Sequence, residues 1–523
     1  MHARLAPSLV LLFACGDAGT ATTSETDEST GETTASTSAD LPPTTSTSAS
    51  SSTGSDGGQT DAMTDDTGLG PTSSSTSTTT TDNTTTASTT ASTTTTADTT
   101  TDDTTTTTTT DTTTGDPPGS CLDADFPVTA PLCGDANAAC TLLRDELVSP
   151  DPKFRNDMPA IALRGDCGPA VIYSVAVNGY HGFYAERTGP DAWTSEATPM
   201  PIATGSLDAV PDQDEMLAAV DDGAFGVTVW QRANGQWTQH SALAGMNHSR
   251  APQLVRDGQD RLHLGHIDAD NNMRHDIHDG GWSTQNLLTQ TEIHVRIAVD
   301  SSDAAHLIGW SSEAMTWQLM YLAPPAPPEL ITPLGSNVLD HHHTAIALAG
   351  ADETPWVLLA RKQPDQVHHD IHLAHRTGPN TWASELLFAE NPGADQECQG
   401  APFQQGQQCN YDYRRAFTTA LFTSADEVRA LYSVLHYKGT LIAQCQDFPM
   451  PFCFWTPMSD SSEGELRVAW PGAAPADHQV VSTDFFSDRA TGRLDTAGAM
   501  HLAYYDYPPQ GGDPRVRYVM IGD

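Results

Sequence analysis

The sequence predicts an all-β protein whose folded part is a β-propeller, and three observations support this prediction. An Asp-x5-His-Leu signature occurs three times, beginning at Asp257, Asp300 and Asp495. Short alternating segments separated by turn residues recur with a base spacing of about 45 residues. Turns of the Gly-x-Trp kind follow many of these segments. A four-stranded unit of this length, repeated around an axis, buries both faces of each sheet and leaves only short edges.

The number of blades follows from the centres of the predicted second strands. These centres predict seven four-stranded blades, with six as the alternative, and they lie near Ala170, Leu217, His263, His306, Trp356, Ala430 and His501. The last unit ends after residues 516–520 without an outermost strand, whereas residues 141–148 read as one. We therefore expect the N-terminal strand to close the last blade, which pairs an otherwise open edge.

Composition divides the chain into three parts. Residues 1–15 combine a basic start with a short apolar run, as a signal peptide does. Residues 16–120 are rich in Thr, Ser and Asp and contain no Lys or Arg, so they have too little apolar surface to fold and are predicted to be a disordered tether. Residues 121–523 form the predicted propeller domain.

The end of the signal segment, Leu12-Phe13-Ala14-Cys15, resembles the lipobox of bacterial lipoproteins. That resemblance implies a lipid on Cys15 and, because Gly16 follows it, a location at the bacterial outer membrane or cell surface. The alternative is an ordinary cleaved signal with an incidental cysteine. A flexible tether of this length spans roughly 55 to 60 Å. The expected membrane contact is therefore a lipid anchor that holds the domain away from the bilayer.

Charge and motifs exclude several classes of partner. The formal net charge is -43, and the chain contains only three lysines. An acidic surface repels phosphate backbones, so we expect no nucleic-acid binding. There is no P-loop and no strand-linked Gly-x-Gly-x-x-Gly motif, so no cofactor is predicted. We expect a monomer.

Eight cysteines follow Cys15, an even number in a chain that reads as exported, which favours disulfides over metal thiolates. Two pairs are spaced as local loop closures, Cys398 with Cys409 and Cys445 with Cys453. The other four pair among themselves in a connectivity that the sequence leaves open, and they are Cys121, Cys133, Cys140 and Cys167.

In a four-stranded blade the regular signatures fall on one face of the disc, where they serve turns and packing. The opposite face carries the irregular segments, including a long insertion at residues 390–413, and variable loops on a constant scaffold usually carry function. The starts of the innermost strands lie on that face and hold a predicted ligand-binding set of scarce cations, Arg155, Arg250, His294 and Arg415, joined by His343. Such a ring would attract carboxylates or sulfates. The alternative is structural ion pairing with Asp157, Asp412 and Asp484.

A second candidate site lies in the fifth predicted blade. His368-x-Asp370-x-His372 places three potential metal ligands on one side of a strand, because side chains alternate there. The alternative is a set of solvated side chains on an outer strand.

The Asp-x5-His-Leu and Gly-x-Trp turns over residues 141–523 resemble the propeller repeats of secreted bacterial proteins related to sialidase-type folds. The sialidase pattern Ser-x-Asp-x-Gly-x-x-Trp is absent, so the resemblance implies architecture and no sialidase activity. Two hypotheses follow. The first is a lipid-anchored surface protein that binds a glycan, an anionic one in particular, or a protein. The alternative is a carbohydrate-active enzyme such as a uronate lyase, with His343 or Tyr413 as the base and Arg415 or Arg250 on the carboxylate.

Overall fold

All described residues lie within one unit, Thr107–Asp523. The computed structural model describes residues 128–149, 159–176, 180–202, 204–210, 215–221, 226–242, 252–268, 270–289, 291–313, 316–334, 344–363, 369–390, 402, 404–446, 452–487, 490–507 and 514–523. These residues form seven four-stranded antiparallel sheets. No helix in this part of the chain is long and apolar enough to cross a bilayer.

The sheets follow one another along the chain as blades, each given from its innermost to its outermost strand. Blade 1 consists of β2 (Ala160–Leu163), β3 (Pro169–Ala176), β4 (Tyr180–Gly189) and β5 (Ala192–Ala197). Blade 2 consists of β6 (Thr204–Val210), β7 (Glu215–Asp221), β8 (Val227–Ala233) and β9 (Gln236–Ala242). Blade 3 consists of β10 (Gln253–Arg256), β11 (Leu262–Ile267), β12 (Met273–His278) and β13 (Trp282–Leu288).

Blade 4 consists of β14 (Thr291–Val299), β15 (Ala305–Glu313), β16 (Thr316–Leu322) and β17 (Glu329–Leu334). Blade 5 consists of β18 (Thr344–Ala349), β19 (Thr354–Lys362), β20 (His369–Gly378) and β21 (Thr381–Ala389). Blade 6 consists of β22 (Gln408–Ser424), β23 (Glu427–Gln446), β24 (Phe452–Ala469) and β25 (Gln479–Ser482). Blade 7 consists of β26 (Ala490–Leu494), β27 (Met500–Asp506), β28 (Arg515–Gly522) and, outermost, β1 (Thr141–Ser149).

The innermost strands form a closed ring. Each contacts the innermost strand of the next blade, from β2 through β6, β10, β14, β18 and β22 to β26, and β26 contacts β2. The predicted β-propeller is therefore confirmed, with seven blades and not six.

The N-terminal strand closes the ring, as the sequence predicted. β1 pairs antiparallel with β28, from Thr141 opposite Gly522 to Ser149 opposite Val516. Blade 7 thus combines residues from both ends of the described domain. This pairing covers the outer edge of β28, which would otherwise expose unpaired backbone groups.

The core lies between neighbouring blades. In β11 every side chain is buried, because the strand packs on both of its neighbours. Leu264 belongs to a cluster with Leu217 of blade 2, whereas Ile267 packs with Leu307 of blade 4. The outermost strand β13 is mostly exposed and polar between its ends. Buried inner strands and polar outer strands are what radial stacking of sheets requires.

The three Asp-x5-His-Leu copies form the same turn between the first and second strands of their blades. One carboxylate oxygen of each Asp accepts hydrogen bonds from backbone N–H groups two and four residues later. The other oxygen contacts Nε2 of the histidine, in the pairs Asp257–His263 (3.0 Å), Asp300–His306 (3.1 Å) and Asp495–His501 (3.2 Å). Burial alone would raise the pKa of these carboxyls, but the hydrogen bonds hold it below the usual range.

The second ring nitrogen of these histidines is also engaged. Nδ1 of His306 lies 2.6 Å from the Tyr321 hydroxyl, and Nδ1 of His501 lies 2.7 Å from the Tyr518 hydroxyl. With the Nε2 proton on the carboxylate side, each Nδ1 accepts from the tyrosine. The prediction that this signature serves turn and packing is confirmed by these contacts.

Blade 6 lacks the signature and receives the N-terminal segment instead. Arg429, which is 2% exposed, occupies the histidine position and donates to the carbonyl oxygens of Cys133 (2.6 Å) and Leu132 (3.2 Å). Ser424 donates to the carbonyl oxygen of Val128 (2.8 Å). These contacts fix the segment that leads into β1, so the closing strand is anchored on blade 6 before it joins blade 7.

Two disulfides lie among the described residues. Cys445–Cys453 joins β23 to β24, which confirms the predicted pair. Cys133–Cys140 closes the segment on blade 6, and this resolves part of the connectivity that the sequence left open. Cys167 and Cys409 are also disulfide-bonded. Cys121 and Cys398, the predicted partner of Cys409, lie outside the described residues.

Candidate functional site

Blade 6 is built differently from the other six. Its strands β22, β23 and β24 contain 17, 20 and 18 residues, whereas no strand of the other described sheets exceeds 10 residues. At roughly 3.3 Å per residue the additional length projects about 30 Å past the disc. We call this projection the arm, and it consists of residues 408–415, 436–446 and 452–463. Part of the segment that the sequence predicted as an irregular insertion, residues 408–413, is therefore strand.

The arm leaves the disc on its irregular face. β22 is the innermost strand of blade 6, and its second half pairs with β23 as far as the turn after Ser424. The arm must therefore extend from the opposite end of β22, beside the central axis. At the base of the arm, the backbone of Gly464 lies so close to Phe485 that a Cβ would collide with the Phe485 carbonyl oxygen. Only glycine allows β24 to pass the connection into blade 7 at this point.

One face of the arm carries three tyrosines and an arginine. Tyr413 lies directly opposite Tyr437, and their rings stack with centroids 5.0 Å apart and planes inclined by 27°. The Tyr411 ring is 5.8 Å from that of Tyr413. Further along β22, the guanidinium carbon of Arg415 lies 5.4 Å from the Tyr413 ring centroid. We call these four residues the aromatic face, and all four are at least partly exposed.

Strand alternation produces this face. Tyr411, Tyr413 and Arg415 are two residues apart along β22, so they point the same way. The cross-strand neighbours of Tyr411 and Tyr437 on this side are small, Gly439 and Ser462 respectively. The rings are therefore flanked by little side-chain bulk within the arm.

The opposite face of the arm is polar and internally paired. His436 Nε2 lies 2.6 Å from Asp412 and its Nδ1 lies 3.6 Å from Glu463. Lys438 is 3.9 Å from the second Asp412 oxygen. The hydrogen bond from His436 lowers the pKa of Asp412, and the nearby Lys438 and Arg414 act in the same direction. In the alternative given by the sequence, Asp412 would pair with an arginine at the axis. In the structure Asp412 contacts His436 and Lys438 on the polar face of the arm.

Arg415 differs from the described arginines that hold a carboxylate. Arg187, Arg232, Arg376 and Arg517 each hold a carboxylate oxygen within 3.0 Å. Arg415 makes no ion pair within the described part of the chain, and its guanidinium lies over the Tyr413 ring. A guanidinium placed over an aromatic ring keeps its five N–H donors available to an anion.

Of the predicted site residues, the structure brings Tyr413 and Arg415 together. Arg155, Arg250 and His343 lie outside the described residues, as does the side chain of His294, so convergence of the predicted ring stays a prediction. Cys15 and His368 lie outside as well.

In the predicted metal motif, Asp370 and His372 do share one side of β20. Asp370 accepts a hydrogen bond from Gln363 (2.8 Å), and His372 Nδ1 lies 3.4 Å from Ser384. Burial lowers the pKa of His372. Among the described residues no group of three His, Cys, Asp or Glu side chains is arranged to hold a metal ion.

The hub contains charged residues that the sequence reading missed. Arg493 donates from β26 to the carbonyl oxygen of Leu207 in β6 (3.0 Å). Burial raises the pKa of Asp208, and Arg493 and Arg256 oppose that shift. These residues lie near the ends of innermost strands. In the sequence, a single charged residue at such a position could not be distinguished from the polar residues of the turn that follows.

Tyr411 and Tyr437 were also missed. The Tyr-x-Tyr spacing of Tyr411 and Tyr413 was a usable signal, since it places both rings on one side of a strand. Tyr437 could not be added without the register of β22 against β23, which the sequence does not contain.

No protein-family model matches the chain, and no curated protein matches its sequence. Several solved structures are similar to it. AofleA from Arthrobotrys oligospora shares 10% identity over 65% of this chain and 97% of its own, with a TM-score of 0.35. The polysaccharide lyase Uly1 shares 9% over 77% and 94%, with a TM-score of 0.40. The fucose-specific lectin from Aleuria aurantia shares 9% over 60% and 97%, with a TM-score of 0.34. Fold similarity of this order transfers no function.

Proposed function

We propose that this protein is a cell-surface glycan-binding protein and that the aromatic face of its arm holds the sugar. The observation that carries the proposal is the stacked pair Tyr413 and Tyr437, extended by Tyr411 and placed on a projection beside the hub. Tyrosine offers a large rigid apolar surface with a polar hydroxyl at its edge. Sugar rings have the complementary character, with C–H groups on their faces and hydroxyls around the rim.

The arm serves no evident purpose in closing the propeller. Six blades are complete with strands of 4 to 10 residues. Exposed aromatic clusters on soluble proteins mark binding surfaces. The arm is therefore best explained as a surface for a ligand.

The proposal includes the anchor and tether inferred from the N-terminal sequence. A lipid on Cys15 would hold the chain at the outer membrane, and residues 16–120 would let the propeller reach beyond it. A binding surface on a long tether samples a wide volume around its anchor, which suits capture of extracellular polysaccharide.

The experiment is a glycan array followed by titration calorimetry of the glycans that bind. Tyr413→Ala and Tyr437→Ala should each raise Kd by about tenfold, because an aromatic stacking contact contributes on the order of 1 kcal/mol or more. Lys438→Ala, on the opposite face of the same strands, is the matched control and should leave Kd within about twofold. Equal affinity in all four proteins would exclude the arm as the binding surface.

A uronate lyase is the second candidate, and one observation favours it. The Tyr413 phenol stands beside the Arg415 guanidinium, which is the arrangement needed for a base and a carboxylate-neutralising group. In this reaction the base removes the proton from the carbon next to the carboxylate. The C–O bond to the leaving sugar breaks with its electron pair on the sugar oxygen, that oxygen takes up a proton, and an unsaturated uronate remains.

Tyr413→Phe separates the two candidates because it keeps the ring and removes the hydroxyl. A binding surface should retain affinity in this variant, whereas a lyase that uses the phenol should lose turnover while still binding. Ultraviolet absorbance of the unsaturated product, followed with a panel of acidic polysaccharides, is the measurement. No absorbance change with the unmodified protein would eliminate the lyase.

A further inference from the structure

We infer that the aromatic face selects glycans that carry a carboxylate or sulfate group, with Arg415 as the residue that binds the anion. This inference rests on the proposed function, since it names the ligand class of the same site. It concerns which sugars bind there, and not whether sugars bind.

The position of Arg415 is the first argument. Arg415 follows Tyr413 by two residues, points to the same side of β22 and is exposed. Its cross-strand partner is Leu435, which has no charge. With the guanidinium carbon 5.4 Å from the Tyr413 ring centroid, a sugar stacked along the tyrosines would bring its substituents within reach of the Arg415 donors.

The charge balance is the second argument. The chain has 67 acidic and 24 basic residues, so positive charge is scarce in it. Ion pairs fix Arg187, Arg232 and Arg376 between blades, whereas Arg415 has none within the described residues. An exposed positive charge attracts an anion locally, whereas the acidic protein as a whole repels it. Salt weakens both the attraction and the repulsion.

The chemistry of arginine is the third argument. Carboxylates and sulfates present two or three oxygens in the geometry that a guanidinium grips with paired N–H donors. A neutral sugar would use the same donors less well, because its hydroxyls carry no charge. The expected ligand is therefore an acidic polysaccharide such as a polyuronate or a sulfated glycan.

The neighbouring residue supplies a matched control. Arg414 is exposed like Arg415, but it lies opposite His436 and so belongs to the polar face of the arm. Replacement of either arginine by glutamine removes one positive charge from the same strand. Only Arg415→Gln removes it from the aromatic face.

The experiment compares a polyuronate with its carboxyl-reduced neutral form, and a sulfated glycan with its desulfated form, by titration calorimetry. The unmodified protein and Arg414→Gln should bind at least one acidic member about tenfold more tightly than its neutral counterpart. In Arg415→Gln that ratio should fall to within about twofold, and Arg415→Lys should retain part of it. The salt dependence of acidic-ligand affinity should also become shallower in Arg415→Gln than in Arg414→Gln.

The outcomes separate this inference from the proposed function. If Tyr413→Ala weakens binding but Arg415→Gln keeps the full acidic preference, the inference is wrong and the glycan site stands. If the unmodified protein binds glycans without regard to charge, the inference is also wrong. If Tyr413→Ala binds every glycan normally, the site itself lies elsewhere and both fail.

Discussion

Arg187 of blade 1 holds both carboxylate oxygens of Glu146, which lies on β1 in blade 7. Its Nε is 2.8 Å from Oε2 and its Nη2 is 2.8 Å from Oε1, while the indole N–H of Trp193 donates to Oε2 at 3.0 Å. Arg187 begins the segment Arg-Thr-Gly-Pro at residues 187–190, which recurs at residues 376–379. In the second copy Arg376 holds Glu329 of blade 4 in the same way. The motif thus joins the outermost strand of one blade to the next blade.

The first prediction concerns this contact across the ring closure. Glu146 is 4% exposed, and although burial alone would raise its pKa, hydrogen bonds from Arg187 and Trp193 hold the pKa below its usual range. Glu146→Gln should lower the free energy of unfolding by about 2 to 4 kcal/mol, since it leaves the partly buried Arg187 guanidinium without this charge partner. Denaturant titration of the purified protein is the measurement.

Arg144 provides the control for this prediction. It lies 3.9 Å from Glu146, but 41% of its side chain is exposed. Arg144→Gln should change stability by no more than about 0.5 kcal/mol. Equal losses in the two variants would mean that the Arg187 contact is not what fixes β1.

The second prediction concerns His275, which takes the place that Tyr321 and Tyr518 hold in blades 4 and 7. Its Nε2 lies 3.0 Å from Nδ1 of His263. Burial, together with His263, lowers the pKa of His275 from 6.5 to about 4. Below pH 6.5 the unfolded chain therefore binds a proton at His275 that the folded protein does not bind. Because of this difference, up to about 3 kcal/mol of stability is lost as pH falls from 6.5 to 4.

His275→Tyr, which copies the other two blades, should remove this loss. The measurement is the free energy of unfolding against pH for both proteins, and the difference between the curves should grow below pH 6.5 in favour of the variant. Parallel curves from pH 7 to 4 would contradict the assignment.

The fold was largely predictable because its signals are local. The Asp257 and His263 spacing predicts a turn whose carboxylate–imidazole contact lies within one blade. Residues 141–148 read as an outermost strand by their pattern alone. The arm was not predictable in this way. Residues 408–413 contain several polar side chains and follow a stretch rich in glutamine, so they resembled a loop until their pairing with β23 was known.

The candidate site shows the same limit. Tyr413 and Arg415 were identified because they lie at the start of an innermost strand, and they do share a face. Tyr437 reaches that face through cross-strand register, a property of two distant segments and not of either sequence alone. Cys445 and Cys453 were paired correctly because two cysteines separated by eight positions in one hairpin can be paired from local sequence alone.

The third prediction concerns Asp506 at the end of β27. It is 8% exposed and lies 3.8 Å from Arg517. Burial raises its pKa from 3.8 to about 6, with Asp484 and Asp145 adding to the shift and Arg517 and Arg515 opposing it. Because the folded protein keeps a proton that the unfolded chain releases, stability should fall as pH rises from about 4 to about 6, by up to about 3 kcal/mol.

Asp506→Asn should remove that dependence, since the amide does not titrate. The quantity to measure is the free energy of unfolding of Asp506→Asn minus that of the unmodified protein, which should increase between pH 4 and 6 and level off above. A difference that stays constant through this range would show that Asp506 is ionised throughout.

The fourth prediction compares the two disulfides of the described chain. Cys445–Cys453 lies in the arm, whereas Cys133–Cys140 closes the segment whose carbonyl oxygens receive Arg429. A loop of this size contributes about 2.5 kcal/mol in the chain-entropy model, but only where the crosslinked residues unfold with the rest of the domain. The strands of the arm pair with one another, so the effect of losing its disulfide should remain local. The Cys445→Ala/Cys453→Ala double variant should show faster amide exchange near the end of the arm with an unchanged midpoint of global unfolding. The Cys133→Ala/Cys140→Ala double variant should lower that midpoint, and the reverse pattern would mean that the arm is part of the cooperative core.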